Sequence, residues 1–99
     1  MINQSFNEAL KTQIPALEKF VPIVERVHGE HHPEFYDVRK VFNTVLEKIK
    51  EAGTDRPELK EEFTKLREIT NNYKVPDDVC ETYEAVYKML HVVDNAYQG

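Results

Sequence analysis

The amino-acid sequence predicts an all-α protein folded as an antiparallel up-down-up-down four-helix bundle. Three observations carry that prediction. Apolar residues recur at three-and-four spacing along four separate stretches of the chain, the signature of helices with one buried stripe. Glycine, proline and asparagine fall between those stretches, where chains turn. No stretch alternates β-branched with polar residues for long enough to make a strand. The chain has 99 residues, the length of one compact core, so a single domain over 1–99 is expected.

The first helix is expected along Phe6, Leu10, Ile14, Leu17, Val21 and Val24, opened by Ser5 with Glu8 three residues on, a capping-box spacing. Pro15 and Pro22 fall inside this pattern. An interior proline removes one backbone hydrogen bond and costs ~3 kcal/mol, so a kink or a restart is expected near Pro15. The second helix, at about 33–52, follows Phe35, Val38, Val41, Phe42, Val45, Leu46 and Ile49. Pro33 suits a first helical position and Gly53 a C-terminal stop. The third, at about 56–72, follows Leu59, Phe63, Leu66, Ile69 and Tyr73, with Asp55 and Glu58 in capping-box register. The fourth follows Val79, Tyr83, Val86, Tyr87, Leu90 and Val93 toward the C-terminus, with Asp77 or Asp78 as its N-cap. Short connections at about 28–32, 53–55 and 73–77 favour antiparallel neighbours.

Composition excludes several classes of function. The net charge is −5, with 13 Lys plus Arg against 18 Asp plus Glu; a duplex-binding protein collects a basic excess on one face, so no nucleic-acid partner is expected. The longest apolar run, Phe20 to Val24, is short and holds Pro22, which argues against a membrane span. Lys11, Glu18 and Lys19 break any apolar core of a signal peptide, and the one cysteine precludes an internal disulfide framework. A cytoplasmic setting is expected. Ser5 is the only serine and the glycines stand alone at 29, 53 and 99, so nucleophile elbows and phosphate-cradling loops are absent. No paired acid and base and no activated nucleophile stands out, so no catalytic residue is assigned and enzymatic activity is not expected.

An antiparallel bundle brings the first and third connections to one pole. That pole collects His28, Glu30, His31 and His32 from one connection and Tyr73, Asp77, Asp78 and Cys80 from the other. Imidazole, carboxylate and thiol suit zinc or iron, and a helix N-terminus favours a thiolate. His28, His31, His32 and Cys80 are therefore the candidate metal ligands, for one Zn or Fe. The plainer reading makes His28 a helix end, His31 and His32 loop or cap residues, and Cys80 a small hydrophobe. No pair among them has the spacing of a known metal motif, so no cofactor is the primary expectation. His91, about eleven residues into the fourth helix, is expected ~15–20 Å from the pole, half-buried at the core edge. Tyr36, Tyr83, Tyr87 and Tyr97 read as packing residues with wet hydroxyls, and Lys60 to Arg67 as a solvated face with a Glu61–Lys65 pair. Val92, Val93 and Tyr97 are expected to leave apolar surface for self-association.

The segment Val24-Glu25-Arg26-Val27-His28-Gly29-Glu30-His31-His32-Pro33-Glu34, with Val38-Arg39 and Phe42, resembles the hemerythrin-like domain of the di-iron iron–sulfur cluster repair proteins, the repair of iron centres family. Leu66-Arg67-Glu68-Ile69-Thr70-Asn71-Asn72-Tyr73 with Pro76, Asp77, Cys80, Thr82 and Tyr83 resembles the run into that family's last helix. The two blocks cover about half of the chain. The resemblance implies a hemerythrin-like bundle and a link to iron or nitrosative stress. It implies no metal ligand in this chain. Phe6, Asn7 and Glu8 stand near the place of the family's first histidine ligand, and Ala52-Gly53-Thr54 replaces a histidine-and-double-glutamate stretch. Glu61-Glu62 lacks the companion histidine, and Tyr97-Gln98-Gly99 stands where the last ligand segment would begin. The expected function is that of a shortened, metal-free interaction module with a protein partner or a second copy of itself. The alternatives are a small metalloprotein built on the polar pole and a structural interaction domain of unrelated role.

Overall fold

Four α-helices and no strand make up the described residues: α1 Phe6–His28, α2 Glu34–Ala52, α3 Lys60–Thr70 and α4 Glu81–Gln98. The structure, a computed structural model, describes residues 5–53 and 55–98. Thr54 of the second connection and Gly99 of the C-terminal triplet lie outside the described residues. No helix among the described residues is long and apolar enough to cross a membrane.

Ser5 caps α1 in an extended conformation and accepts the Glu8 N–H at 3.2 Å, which satisfies one of the orphan donors of the first turn. The restart expected at Pro15 does not occur, because α1 runs unbroken through both prolines. Each proline forfeits a hydrogen bond, but Leu17, Val21 and Val24 are buried around them. At about 1.5–3 kcal/mol each, that burial holds the helix together. The helix ends at Gly29, which is buried beneath the Tyr36 ring. A Cβ there would stand 2.5 Å from the Glu25 carbonyl oxygen and 2.6 Å from the Tyr36 ring, so only glycine lets α2 approach this closely.

Pro33 occupies the cap position of α2, and Gly53, at φ +59°, follows its last turn. The start of α3 differs from expectation. Pro57 disfavours helical backbone at Arg56, so the Asp55–Glu58 capping box does not form and the helix begins at Lys60. Leu59 takes the cap position without a side-chain cap, and its N–H donates instead to the Tyr97 hydroxyl at 3.0 Å. At the far end Asn71, Asn72 and Tyr73 all have positive φ, 53°, 61° and 61°. This left-handed run ends α3 and turns the chain sharply. The third connection is accordingly longer than expected, and neither Asp77 nor Asp78 caps α4: the Cys80 carbonyl accepts the first helical N–H, from Glu84, at 3.2 Å.

The most extensive packing joins α1 to α4, followed by α2 to α3 and α1 to α2. Phe6 at the start of α1 meets Tyr97 near the end of α4, with ring centroids 5.3 Å apart, and His28 at the end of α1 meets Tyr83 at 5.4 Å. One core of Leu17, Val21, Phe35, Phe42, Leu66, Val86 and their buried neighbours fills the space between the helices. An ion pair joins each consecutive pair of helices: Arg39 to Glu25 at 2.7 Å, Lys48 to Glu62 at 2.9 Å and Arg67 to Asp94 at 3.0 Å.

Two surface expectations are corrected. Glu62 is buried rather than part of a solvated face, and Glu61 and Lys65 form no ion pair among the described residues. Of the expected apolar C-terminal surface only Val92 is exposed. Val93 lies in the core, and Tyr97 is half-buried against Phe6 and Phe63.

The fully buried Leu17 and the exposed Val92 give a direct test of this packing. Leu17→Ala is expected to lower the unfolding free energy by about 2–5 kcal/mol and Val92→Ala by less than about 0.5 kcal/mol, both read by denaturant titration of the helical circular dichroism. Equal losses at the two positions would contradict the packing.

Candidate functional site

The end of α1, the start of α2 and the connection leading into α4 converge on Tyr83, and the polar pole is built around that ring. Tyr83 is fully buried, with His28, His32 and Phe35 centroids 5.4, 5.5 and 5.2 Å away. The His28 and His32 rings stand at 87° and 63° to it, the edge-to-face arrangement that aromatic quadrupoles favour. The Tyr83 hydroxyl shares a hydrogen bond of 2.9 Å with that of Tyr87. These two tyrosines therefore differ from the expected pattern of wet hydroxyls. Tyr87, four residues on, follows Tyr83 on the same helix stripe, which seals both from solvent.

His28 and Cys80 do come together. The His28 Nε2 lies 3.1 Å from the Cys80 Sγ, although 52 residues separate them. His28 is half-buried and Cys80 is an exposed free thiol rather than a buried hydrophobe. His32 is fixed differently. Its Nδ1 bonds the Glu34 Oε1 at 3.0 Å, and the Asp78 Oδ1 sits 3.0 Å from Nε2. The Asp78 contact lies off the N–H direction and is an ion contact only when the ring is protonated. His31 is exposed, contributing a backbone N–H to the His28 carbonyl at 3.1 Å.

Of the four candidate ligands, only one imidazole and one thiol meet. A structural zinc site takes four ligands, and both nitrogens of His32 already face carboxylates. Among the described residues no group of three or more His, Cys, Asp and Glu side chains is arranged to hold a metal ion. The di-iron pair of the resembling family has no fit at mid-height either. Leu17, Val21, Val45, Leu66 and Leu90 are buried there, and unpaired charge among such side chains costs many kcal/mol. The two buried carboxylates, Glu62 and Asp94, are engaged in separate ion pairs on α3 and α4. Shallow clefts flank the 75–77 segment. One of about 360 Å³ is lined by Glu34, Thr70, Lys74, Asp77 and Tyr87, and one of about 290 Å³ by Asp77, Cys80, Glu81 and Glu84. They give the pole an acidic, open surface beside the thiol.

Tyr73 does not belong to this pole. The left-handed run at 71–73 swings it onto α4, where its ring stacks on His91 at 4.9 Å and its hydroxyl donates to the Asp94 Oδ2 at 2.8 Å. His91 is consequently an exposed ring lying on a tyrosine, not a half-buried core histidine. Asp94, only 2% exposed, also accepts from Arg67 and from Gln98 at 3.0 Å. The sequence marks this node only weakly. Its signal was a carboxylate in register with Tyr87 and Leu90 on an apolar stripe.

No family model matches the chain, and no solved structure matches it at a significant level. The site's electrostatics are open to direct measurement. Burial, then the hydrogen bond to Tyr87, lifts the Tyr83 hydroxyl well above the usual tyrosine range, and burial with the Asp94 contact does so for Tyr73; burial also raises Tyr87. In the unfolded chain these phenols release their protons near pH ~10, while the folded protein keeps them. The stability they contribute is thus full below pH ~10 and is lost as the pH rises toward the folded values. An alkaline titration is expected to show tyrosinate absorbance from Tyr73, Tyr83 and Tyr87 only as helical dichroism disappears. Complete tyrosinate formation in an intact helical protein would contradict the buried network.

Proposed function

We propose that the chain is a metal-free helical interaction module, a hemerythrin-like bundle related to the iron–sulfur cluster repair proteins and acting in iron or nitrosative stress in a cytoplasmic setting. One observation carries the reading: the level at which such bundles hold a di-iron pair is filled by Leu17, Val21, Val45, Leu66 and Leu90, all buried. The up-down-up-down order is part of the same reading. It is supported by the meeting of Phe6 with Tyr97, His28 with Cys80, Arg39 with Glu25 and Phe63 with Tyr97, each of which sets the end of one helix against the start of another. A protein partner fits better than a nucleic acid, given the net charge of −5.

A second reading rests on the His28–Cys80 distance of 3.1 Å. A soft cation held by that thiol and imidazole, with solvent completing its shell, would make the pole a non-standard metal site for one Zn or Fe.

Metal analysis of untagged protein from iron-rich medium tests both readings. The interaction module is expected to carry no stoichiometric iron pair and no near-ultraviolet charge-transfer absorption. Two irons per chain, lost in Glu62→Ala, would overturn it. One zinc or iron per chain, lost in His28→Ala or Cys80→Ala, would replace it with the second reading.

A further inference from the structure

A cleft of about 370 Å³ opens between the end of α3 and the last turns of α4, away from the polar pole. The buried Tyr73 and Asp94 form its floor, and Arg67, Asn72, His91, Asn95 and Gln98 complete its lining. His91, Asn95 and Gln98 follow one another at steps of four and three, so a single face of α4 supplies them. Arg67 comes from the last turn of α3 and Asn72 from the left-handed turn, at φ 61°.

Hydrogen bonding decides the sign of what fits there. Asp94, the one carboxylate on this lining, is 2% exposed and fully engaged. Its Oδ2 accepts from the Arg67 Nε and the Tyr73 hydroxyl, and its Oδ1 accepts from the Gln98 amide. A cation would find no free carboxylate oxygen. The donors, by contrast, are available. Arg67 is engaged through Nε, and among the described residues its Nη groups make no hydrogen bond or ion pair. The amides of Asn72 and Asn95 and the ring nitrogens of His91 make none either, and all three side chains are exposed. Guanidinium and amide N–H groups converging on one cleft complement the lone pairs of an oxyanion.

The donors are also held in place before any ligand arrives. Asp94 anchors the Arg67 guanidinium at 3.0 Å and the Gln98 amide at 3.0 Å. The His91 ring lies on Tyr73 with centroids 4.9 Å apart and planes at 19°. Fixed donors lose little side-chain freedom on binding.

We propose that this cleft binds a small oxyanion, a carboxylate or a tetrahedral group such as sulfate or phosphate. The Nη groups of Arg67 hold it, and the Asn72 and Asn95 amides and the His91 ring complete its shell. The site is independent of the interaction-module reading and of the metal question. Because the Arg67 charge is already matched by Asp94 and the chain carries a net charge of −5, the affinity is modest, with a dissociation constant of about 1–10 mM.

Nitrogen–proton NMR titration of the full chain tests the site, with sodium chloride replaced at fixed ionic strength by sodium acetate in one arm and sodium sulfate in the other. Saturable shifts confined to Asn72, His91, Asn95, Gln98 and their neighbours are expected in at least one arm. The arm that saturates distinguishes a planar from a tetrahedral ligand. Arg67→Lys keeps the charge but removes the fork and is expected to weaken binding at least about fivefold. Asn95→Ala, an exposed helix position, and Asn72→Gly, which retains the positive φ, are each expected to weaken it about twofold to threefold. Circular dichroism shows whether each variant remains helical, and Asn95→Ala decides the outcome if Arg67→Lys does not. Shifts that fail to saturate in both arms, or saturable binding indifferent to Asn95→Ala and to a folded Arg67→Lys, overturn the proposal.

Discussion

The packing of α1 along α4 is the constraint on which the rest of the structure depends. α1 carries two interior prolines and remains one helix of 23 residues. In isolation a helix missing two of its hydrogen bonds would break. Packed most extensively on α4, with Leu17, Val21 and Val24 buried in the core, it loses less by staying helical than it would by exposing that stripe. Because α1 is continuous, its two ends are placed by one rigid element. Phe6 reaches Tyr97 at one end of the molecule and His28 reaches Cys80 and Tyr83 at the other.

The opposite end shows how aromatic and polar groups stand in for missing caps. Tyr97 packs between Phe6 and Phe63, and Arg56 lies over both Phe6 and Tyr97 while donating to the Tyr97 carbonyl. The Tyr97 hydroxyl in turn accepts the Leu59 N–H, an orphan donor at the start of a helix without a side-chain cap. One side chain thereby ties the last turn of α4 to the first of α3. The left-handed run at 71–73 does the comparable task at the other end of α3. Three successive non-glycine residues in that region cost energy. The Thr70 hydroxyl stabilises the turn by accepting the Tyr73 N–H at 2.8 Å, and the buried Tyr73 hydroxyl gains the Asp94 carboxylate in return.

The polar pole follows from these placements. His28 is fixed by the end of α1, His32 by Glu34 at the start of α2, and Cys80 by its carbonyl at the start of α4. Tyr83 fills the space between them as an aromatic floor. The two histidine rings stand 5.4 and 5.5 Å from one buried phenol, and the carboxylates facing both nitrogens of His32 set it apart from the His28–Cys80 pair. The same geometry that collects these groups at one end therefore divides them into two separate contacts.

The sequence by itself determined the helix count, the apolar stripes and the end at which histidine and cysteine gather, because three-and-four periodicity and turn residues are local properties of the chain. The Ser5 cap and the Pro33 start of α2 were legible for the same reason. Tertiary structure decided what depends on a neighbour. Burial against α4 overrode Pro15, and Pro57 with the Tyr97 hydroxyl overrode the Asp55–Glu58 cap. The turn at Asn71–Tyr73 sent Tyr73 to His91 and Asp94 rather than to the pole. Glu62 reads as part of a solvated face because a charged residue in a helix is most often solvated, and Asp94 carries no local mark of burial for the same reason. Only the arrival of Lys48 and Arg67 from adjacent helices, at 2.9 and 3.0 Å, makes their burial tolerable, and no spacing within a single helix encodes that.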